Sequence, residues 1–280
     1  MICAWQEYLK LLPDWLREDV DKLGRNKLQE LRMRIGETPE LVMNDGSAWL
    51  HRSVRPEDLS FVVNAASQYS PWSAVTAEKG YITAPGGHRI GLCGDATLDN
   101  GIMKGIRVCS SLCLRVARDF PGIAVKAAAI NGSVLILGRP GSGKTTLLRD
   151  LVRQRSEAGD GAVGVVDERG ELFPVVRGSR CFAPGRRTDI LTGCSKQTGI
   201  RALLRTMGPV CIAVDEITDK EDCDAMLEAG WCGVTLMATA HAADKRDLLN
   251  RPVYQSIAST RLFETVIVMQ EDKTWKAERI

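Results

Sequence analysis

The sequence lacks the long apolar segment that a membrane-spanning helix needs. Of its 280 residues 44% are hydrophobic, yet no uninterrupted run approaches the roughly 20 residues that cross a bilayer. Near the N-terminus, Glu7, Lys10 and Asp14 interrupt the apolar residues and break the pattern of a signal peptide. We therefore expect a soluble, cytoplasmic chain without direct membrane insertion.

Cysteines at metal-binding spacing are also absent. The nine cysteines include no C-x-x-C pair, and the close pair Cys109 and Cys113 has no second pair to complete a zinc site. An odd number of scattered cysteines is typical of reduced thiols in a cytosolic protein. We expect neither a structural metal nor a disulfide framework.

A strong net charge is missing as well. The formal charge of +2 creates no field that recruits nucleic acid over the whole surface, and no stripe of alternating aromatic and basic residues is present. Both absences argue against nucleic acid as a partner. Arginine outnumbers lysine 25 to 12, which suits phosphate contacts and interface ion pairs, or reflects a plain surface preference.

Residues 1–119 predict a small α+β domain. Two amphipathic helical stretches come first, and Pro56 begins a further helix that runs to about Ser67. Short alternating segments separated by glycine turns predict strands. These segments are 31–35, 41–43, 80–83, 88–92 and 106–116. Turn residues at 119–122 mark the boundary to a second domain, residues 120–280.

The second domain alternates apolar runs with helical patterns, which favours a parallel sheet with crossover helices. The predicted buried strands are 133–137, 163–166, 211–214, 235–239 and 266–269. The fold class is therefore α/β for this domain.

The segment after the first of these strands carries the strongest chemical signal. It fits G-x-x-x-x-G-K-[ST], in which glycines let backbone N–H groups surround phosphate oxygens at a helix N-terminus. The candidate nucleotide-binding residues are Gly138, Arg139, Pro140, Gly141, Ser142, Gly143, Lys144, Thr145 and Thr146. We expect Lys144 to reach the β- and γ-phosphates of ATP and Thr145 to offer its hydroxyl to Mg²⁺.

Two later strands end in paired carboxylates. The run 210–216 looks like a Walker B element, in which Asp215 holds Mg²⁺ and Glu216 polarises the attacking water. The run 163–168 ends in Asp167 and Glu168, so either Glu168 or Glu216 is a candidate general base. The alternative for the earlier strand is a solvated corner in which Arg169 pairs with Glu171.

For the remaining candidate residues the sequence gives less evidence of a role when each is taken alone. His241 follows the strand at 235–239, where a polar side chain can sense the γ-phosphate or serve only structure. Five residues between the acidic strands are expected in loops or on helices: Arg186, Arg187, Asp189, Arg201 and Arg205. Each arginine suits a surface ion pair, and as a group they suggest an oligomer.

Taken together, these motifs resemble the stage III sporulation protein AA family, which is related to the secretion-superfamily ATPases. The segments that carry the resemblance are 31–36, 80–83, 86–91 (GGHRIG), 138–145, 167–169, 187–191, 214–217 and 239–241. One departure is Asp215, because the secretion motors usually have Gly at that position. Another is the missing cysteine-rich metal element of some type II motors.

The resemblance implies a RecA-like P-loop NTPase core with a smaller N-terminal α+β domain, and a Mg²⁺-dependent ATPase working as a hexameric ring. It also implies partners among the membrane proteins of the sporulation stage III channel complex. The chain is then peripheral, at the mother-cell side of the forespore membrane. Arg89, Arg107 and Arg115 hold the domain position from which arginines of that superfamily reach the nucleotide. A nucleotide-dependent scaffold with little turnover and a nucleic-acid-dependent ATPase are the alternatives.

Overall fold

A computed structural model describes residues 1–68, 80–159 and 161–279. The chain forms two compact units. One comprises Met1–Asp119 and Pro174–Cys181, and the other comprises Phe120–Phe173 and Phe182–Ile280. A short segment from the second half of the sequence therefore belongs to the first unit, which the sequence did not predict.

The first unit is an antiparallel sheet with helices, in the strand order β3-β2-β1-β6-β5-β4. Its helices are α1 (Trp5–Lys10), α2 (Asp14–Lys27) and α3 (Pro56–Ser67). Its strands are β1 (Leu28–Arg34), β2 (Glu40–Met43), β3 (Gly46–Trp49), β4 (Tyr81–Thr83), β5 (Arg89–Asp99) and β6 (Ile102–Arg115). A separate hairpin consists of β9 (Val175–Val176) and β10 (Ser179–Arg180).

The GGHR segment of this unit is fixed by buried contacts. Gly86 has φ +77°, and a Cβ at this position would overlap that of Ala4. His88 is fully buried, its Nε2 lies 3.0 Å from the Ala4 carbonyl oxygen, and its Nδ1 accepts from the Ala117 N–H. The segment thus joins the N-terminus, β5 and the residues after β6, which accounts for its residue types without a ligand.

The second unit is a seven-stranded sheet in the order β11-β8-β12-β13-β7-β14-β15, parallel except for β15. Its strands are β7 (Val134–Leu137), β8 (Val163–Asp167), β11 (Thr188–Thr192), β12 (Cys211–Ile217), β13 (Thr235–Ala240), β14 (Thr265–Met269) and β15 (Trp275–Arg279). Its helices are α4 (Val125–Ala128), α5 (Lys144–Ala158), α6 (Lys196–Thr206), α7 (Lys220–Trp231), α8 (Lys245–Asn250) and α9 (Gln255–Ser259).

All five strands predicted for this sheet are present. The four residues of β7 are completely buried, and burying each such side chain contributes roughly 1.5–3 kcal/mol. Because β8, β12, β13 and β7 are consecutive and parallel, their carboxyl ends meet at one edge. That edge receives the phosphate-binding loop and both acidic pairs.

The two outer strands were not predicted. β11 contains Asp189, which the sequence had suggested lies in a loop or on a helix, and it pairs in parallel with β8. β15 is mostly exposed and antiparallel to β14. Edge strands are buried less and carry more polar residues, so neither segment has the continuous apolar run that marked the inner strands.

Candidate nucleotide-binding site

The phosphate-binding loop has a backbone that its glycines make possible. Gly141 and Gly143 have φ of +76° and +99°, which L side chains rarely adopt. A Cβ on Gly138 would lie 2.5 Å from Ser142 Oγ and 2.9 Å from Met269 Cβ. Substitution at these positions therefore disturbs either the local conformation or the packing of the loop.

The Ser142 side chain in the loop finds no hydrogen-bond partner among the described residues. The hydroxyl oxygen of Ser142 is buried and makes no hydrogen bond within the described residues. Buried polar groups are normally satisfied, and a phosphate oxygen is an acceptor that a hydroxyl at this place can serve. The loop therefore fits a phosphate group.

Lys144 lies at the centre of the site, 6% exposed. Its Nζ donates to the carbonyl oxygens of Gly138 and Arg139 at 2.9 and 3.0 Å and lies 3.2 Å from His241 Nδ1. Burial lowers the pKa of Lys144, and the charges of Asp215 and Glu216 oppose that shift. A buried ammonium held among carbonyl oxygens is suited to bind an anion.

The hydroxyl of Thr145 lies beside the carboxylate of β12, as the sequence predicted. Thr145 donates to Asp215 Oδ2 at 2.8 Å, and Thr239 donates to Asp215 Oδ1 at 2.6 Å. One hydroxyl and one carboxylate on adjacent elements are oxygen ligands of the kind that Mg²⁺ uses with nucleotide phosphates. Thr145 and Asp215 therefore fit a Mg²⁺ site.

Glu216 has an unusual backbone. Its φ is +56°, and the pairing of β12 with β13 shifts register between Val214 and Ile217, so the residue lies in an irregularity of the strand. Its N–H donates to Thr239 Oγ1 at 2.7 Å. The Thr239 hydroxyl thus fixes the Asp215 carboxylate by donating a hydrogen bond and fixes the Glu216 backbone by accepting one.

Both carboxylate oxygens of Glu216 have partners. Oε1 lies 2.8 Å from His241 Nε2, and Oε2 accepts from Arg169 Nη1 at 2.9 Å. Burial acts to raise the pKa of Glu216, but the hydrogen bond from His241 and the charge of Arg169 outweigh it and lower the pKa. Arg169 contacts Glu216 on the next strand, not only its own loop as the solvated-corner alternative assumed.

The contacts of His241 define its tautomer. The Lys144 ammonium only donates, so Nδ1 of His241 accepts and Nε2 carries the hydrogen given to Glu216. His241 therefore connects the loop lysine with the carboxylate at the end of β12.

The two carboxylates at the end of β8, Asp167 and Glu168, lie in different environments. Asp167 is 2% exposed and accepts from the N–H groups of Glu171 and Phe173, so it fixes the following loop. Burial raises the pKa of Asp167, although the hydrogen bond from the Phe173 N–H acts to lower it. Glu168 instead accepts from Lys196 at 2.7 Å.

Lys196 and its second partner, Asp222, are site residues that sequence reasoning missed. Lys196 Nζ lies 3.2 Å from Asp222 Oδ2, and Asp222 is 1% exposed. Burial acts to lower the pKa of Lys196, but the bonds to Glu168 and Asp222 outweigh it and raise the pKa. A cleft at this edge is lined by Asp167, Glu168, Arg169, Glu171, Lys196, Asp215 and Glu216.

The other predicted residues of the phosphate-binding loop lie at the rim of the site or behind it. Arg139 and Pro140 are exposed, and Arg139 forms a long ion pair of 3.5 Å with Glu271. Thr146 is half-buried on the first turn of α5. Each thus lies next to the candidate phosphate-binding groups, and Arg139 faces solvent.

Three of the four arginines predicted between the acidic strands have partners within the second unit. Arg187 donates to the Gly159 carbonyl oxygen at 2.7 Å, Arg201 forms a bidentate pair with Glu228 at 2.8 Å, and Arg186 pairs at 3.8 Å with Glu157. Arg205 is exposed on α6.

The three candidate arginines of the first unit also have partners within that unit. Arg115 pairs with Glu30, Arg107 pairs with Asp95, and Arg89 stacks on Tyr81.

The family follows from a match over nearly the whole sequence. The family model described as "Sporulation stage III, protein AA" matches residues 6–278. The chain belongs to this family. It is 33% identical to Stage III sporulation protein AA of Bacillus subtilis (strain 168), over 95% of this chain and 91% of that protein. It is 27% identical to the uncharacterized protein ycf45 of Porphyra purpurea, over 88% of this chain and 42% of that protein.

Solved structures of ATPases share the fold. The Legionella pneumophila ATPase DotB matches with a TM-score of 0.62 at 18% identity, over 96% of this chain and 80% of that chain. The pilus retraction motor PilT with bound ADP matches with a TM-score of 0.59 at 17% identity, over 90% and 76%. The predicted fold class is confirmed: the chain shares with these structures the fold of a RecA-like P-loop NTPase core with a smaller N-terminal α+β domain. Among the described residues, no helix is both long and apolar enough to span a membrane.

Proposed function

We propose that the protein binds ATP with Mg²⁺ and hydrolyses it. The observation that carries this proposal is the chain of contacts at one sheet edge, where Lys144 meets His241, His241 meets Glu216, and Thr145 meets Asp215. A turn that only closes a loop does not require a buried lysine, an aligned hydroxyl and two carboxylates at the end of a neighbouring strand, β12.

Binding follows from the loop and its surroundings. The backbone N–H groups of residues 138–146 other than Pro140, together with the Ser142 hydroxyl, would hold phosphate oxygens, and Lys144 would bind the β- and γ-phosphates. Thr145 and Asp215 would hold Mg²⁺, with Thr239 keeping the Asp215 carboxylate in place.

Hydrolysis needs a water that is oriented and deprotonated. Bound Mg-ATP supplies the electrophilic γ-phosphoryl group and a metal that neutralises its charge. We assign the general base to Glu216, because its carboxylate lies next to Asp215 and is oriented by His241 and Arg169. Glu168 is the second candidate, because it opens on the same cleft.

The biological role proposed here comes from the family. As a member of a sporulation family with the fold of secretion ATPases, the protein would use ATP to energise or assemble the channel between mother cell and forespore. It would act as a hexamer in the mother-cell cytoplasm, docked to membrane proteins of the stage III complex. The likeness to DotB and PilT supports the fold, and the 33% identity to the Bacillus subtilis protein supports the sporulation role.

The test is ATP turnover by the purified protein against three variants. Lys144→Ala should abolish ATP binding, and Glu216→Gln should keep binding while kcat falls on the order of 10²- to 10⁴-fold, because the general base is lost. The matched control is Glu221→Gln, which neutralises an exposed carboxylate in the first turn of α7 and should leave both quantities unchanged.

Other outcomes select the alternatives. If the wild type assembles and binds ATP but turns over no faster than Glu216→Gln, the protein is a nucleotide-dependent scaffold. A many-fold stimulation by single-stranded DNA or RNA selects the nucleic-acid-dependent ATPase.

A further inference from the structure

Lys196 occupies a position that helix formation does not favour. It is the first residue of α6, and that first turn contains no acidic residue. The positive end of the helix dipole disfavours an ammonium there. At 6% exposure the side chain is also withdrawn from water, which is costly for a charge unless it is paired. The reason for a lysine at this place must therefore lie in its partners.

The two partners lie on separate parts of the site. Glu168 directly follows β8, and its side chain is 37% exposed toward the cleft. Asp222 lies in the first turn of α7 and accepts from both the N–H and the hydroxyl of Thr218, just after β12. Lys196 thus connects the carboxyl ends of the two strands that carry the acidic pairs.

The contact also leaves Glu168 able to act. The structure places the Lys196 ammonium on Oε2 of Glu168 at 2.7 Å, and this bond restricts the rotation of the carboxylate. The cleft lined by Glu168 is the same one lined by Asp215 and Glu216. A carboxylate fixed in this way can hold a water or a metal-bound water by its other oxygen.

We propose that Lys196 is a positioning residue that orients Glu168 toward the nucleotide and couples the end of β8 to the start of α7. This inference rests on the proposed ATP hydrolysis. Glu168 then orders the water that Glu216 deprotonates, and Lys196 acts on the reaction only through Glu168.

The experiment removes the charge of Lys196 without leaving Asp222 uncompensated. The double variant Lys196→Met/Asp222→Asn should lower kcat on the order of 10- to 100-fold, as loss of an outer partner of a site commonly does. The dissociation constant for ADP, measured by calorimetry, should change less than about threefold, because the phosphate loop is untouched. The single variant Lys196→Arg, which keeps the charge, should recover at least part of the lost kcat.

Two controls separate positioning from simple stability. Arg201→Met breaks an ion pair between the same two helices, α6 and α7, outside the cleft lining, and should leave kcat unchanged. In the background of Glu168→Gln, removing Lys196 should cause no further loss of kcat, because its effect is transmitted through that glutamate.

The outcomes separate this inference from the proposed function. The inference is overturned if Lys196→Met/Asp222→Asn keeps the wild-type kcat. It is also overturned if removing Lys196 lowers kcat by the same factor in the wild type and in Glu168→Gln. In both cases turnover by the wild type still supports ATP hydrolysis. A wild type that binds ADP but does not hydrolyse ATP overturns both.

Discussion

At the residue scale, the site depends on side chains that each fix two others. Thr239 is the clearest case, because it donates to Asp215 Oδ1 and accepts from the Glu216 N–H. The two acidic residues of β12 lie where the strand is irregular and Glu216 has φ +56°. Backbone strain of this kind persists only where surrounding contacts hold it.

Thr239→Val tests this dependence, because valine keeps the shape and loses the hydroxyl. We expect kcat for ATP to fall on the order of tenfold and the free energy of unfolding to fall by about 1–3 kcal/mol, since the Glu216 N–H loses its acceptor. Turnover and urea denaturation measure the two effects. Thr235→Val on the same strand removes a hydroxyl that donates to the Val210 carbonyl oxygen and does not contact the acidic residues of β12 among the described contacts, so unchanged turnover is expected there. Equal kcat losses in both variants would contradict the assignment.

The buried side chain of His88 should make the stability of the first unit depend on pH. Burial lowers its pKa from 6.5 to about 4, against the hydrogen bond to Ala4 that favours the charged form. The unfolded chain binds the proton more readily, so His88 contributes stability above pH 6.5 that is lost as the pH falls toward 4. The full contribution is about 3 kcal/mol.

Urea denaturation of the wild type at a series of pH values between 7 and 4 checks this loss. His51 is exposed, so His51→Asn should keep the wild-type pH dependence, whereas His88→Asn should flatten it. A His88→Asn protein that loses as much stability between pH 7 and 4 as the wild type would show that His88 is not responsible.

At the element scale, β5 and β6 form a long ribbon. Both strands continue past the residues that pair with β4 and β1. Their pairing shifts register three times, and one shift lies at Cys93 and Gly94. Gly94 and Gly105 have similar φ values, +157° and +154°, but a Cβ on Gly94 would overlap the Val108 carbonyl oxygen, whereas nothing lies within 4 Å at Gly105.

We therefore expect Gly94→Ala to destabilise the ribbon by about 1–3 kcal/mol more than Gly105→Ala, because the backbone of β6 must move to accept the methyl group. Amide hydrogen exchange of residues in β5 and β6 measures the difference. Equal protection in the two variants would mean that close strand approach is not what requires Gly94.

At the scale of the whole molecule, assembly remains a prediction from the family. With Mg-ATP, the slow variant Glu216→Gln should form particles several times the 30.7 kDa mass of one chain, as light scattering can measure, and Lys144→Ala should not respond to ATP. If the wild type hydrolyses ATP while its measured mass stays that of one chain, the hexameric ring is refuted.

The sequence by itself determined the groups whose chemistry is local. The glycine loop before Lys144, the carboxylates at the end of β12 and the five inner strands were predicted, because a turn, a helix start and a buried strand each depend on neighbouring residues. Tertiary structure alone decided which side chains meet across strands. Lys196 is 28 residues from Glu168, Arg169 is 47 from Glu216, and the hairpin 174–181 belongs with the first unit. No periodicity in the sequence encodes these contacts, since they follow from strand order and packing.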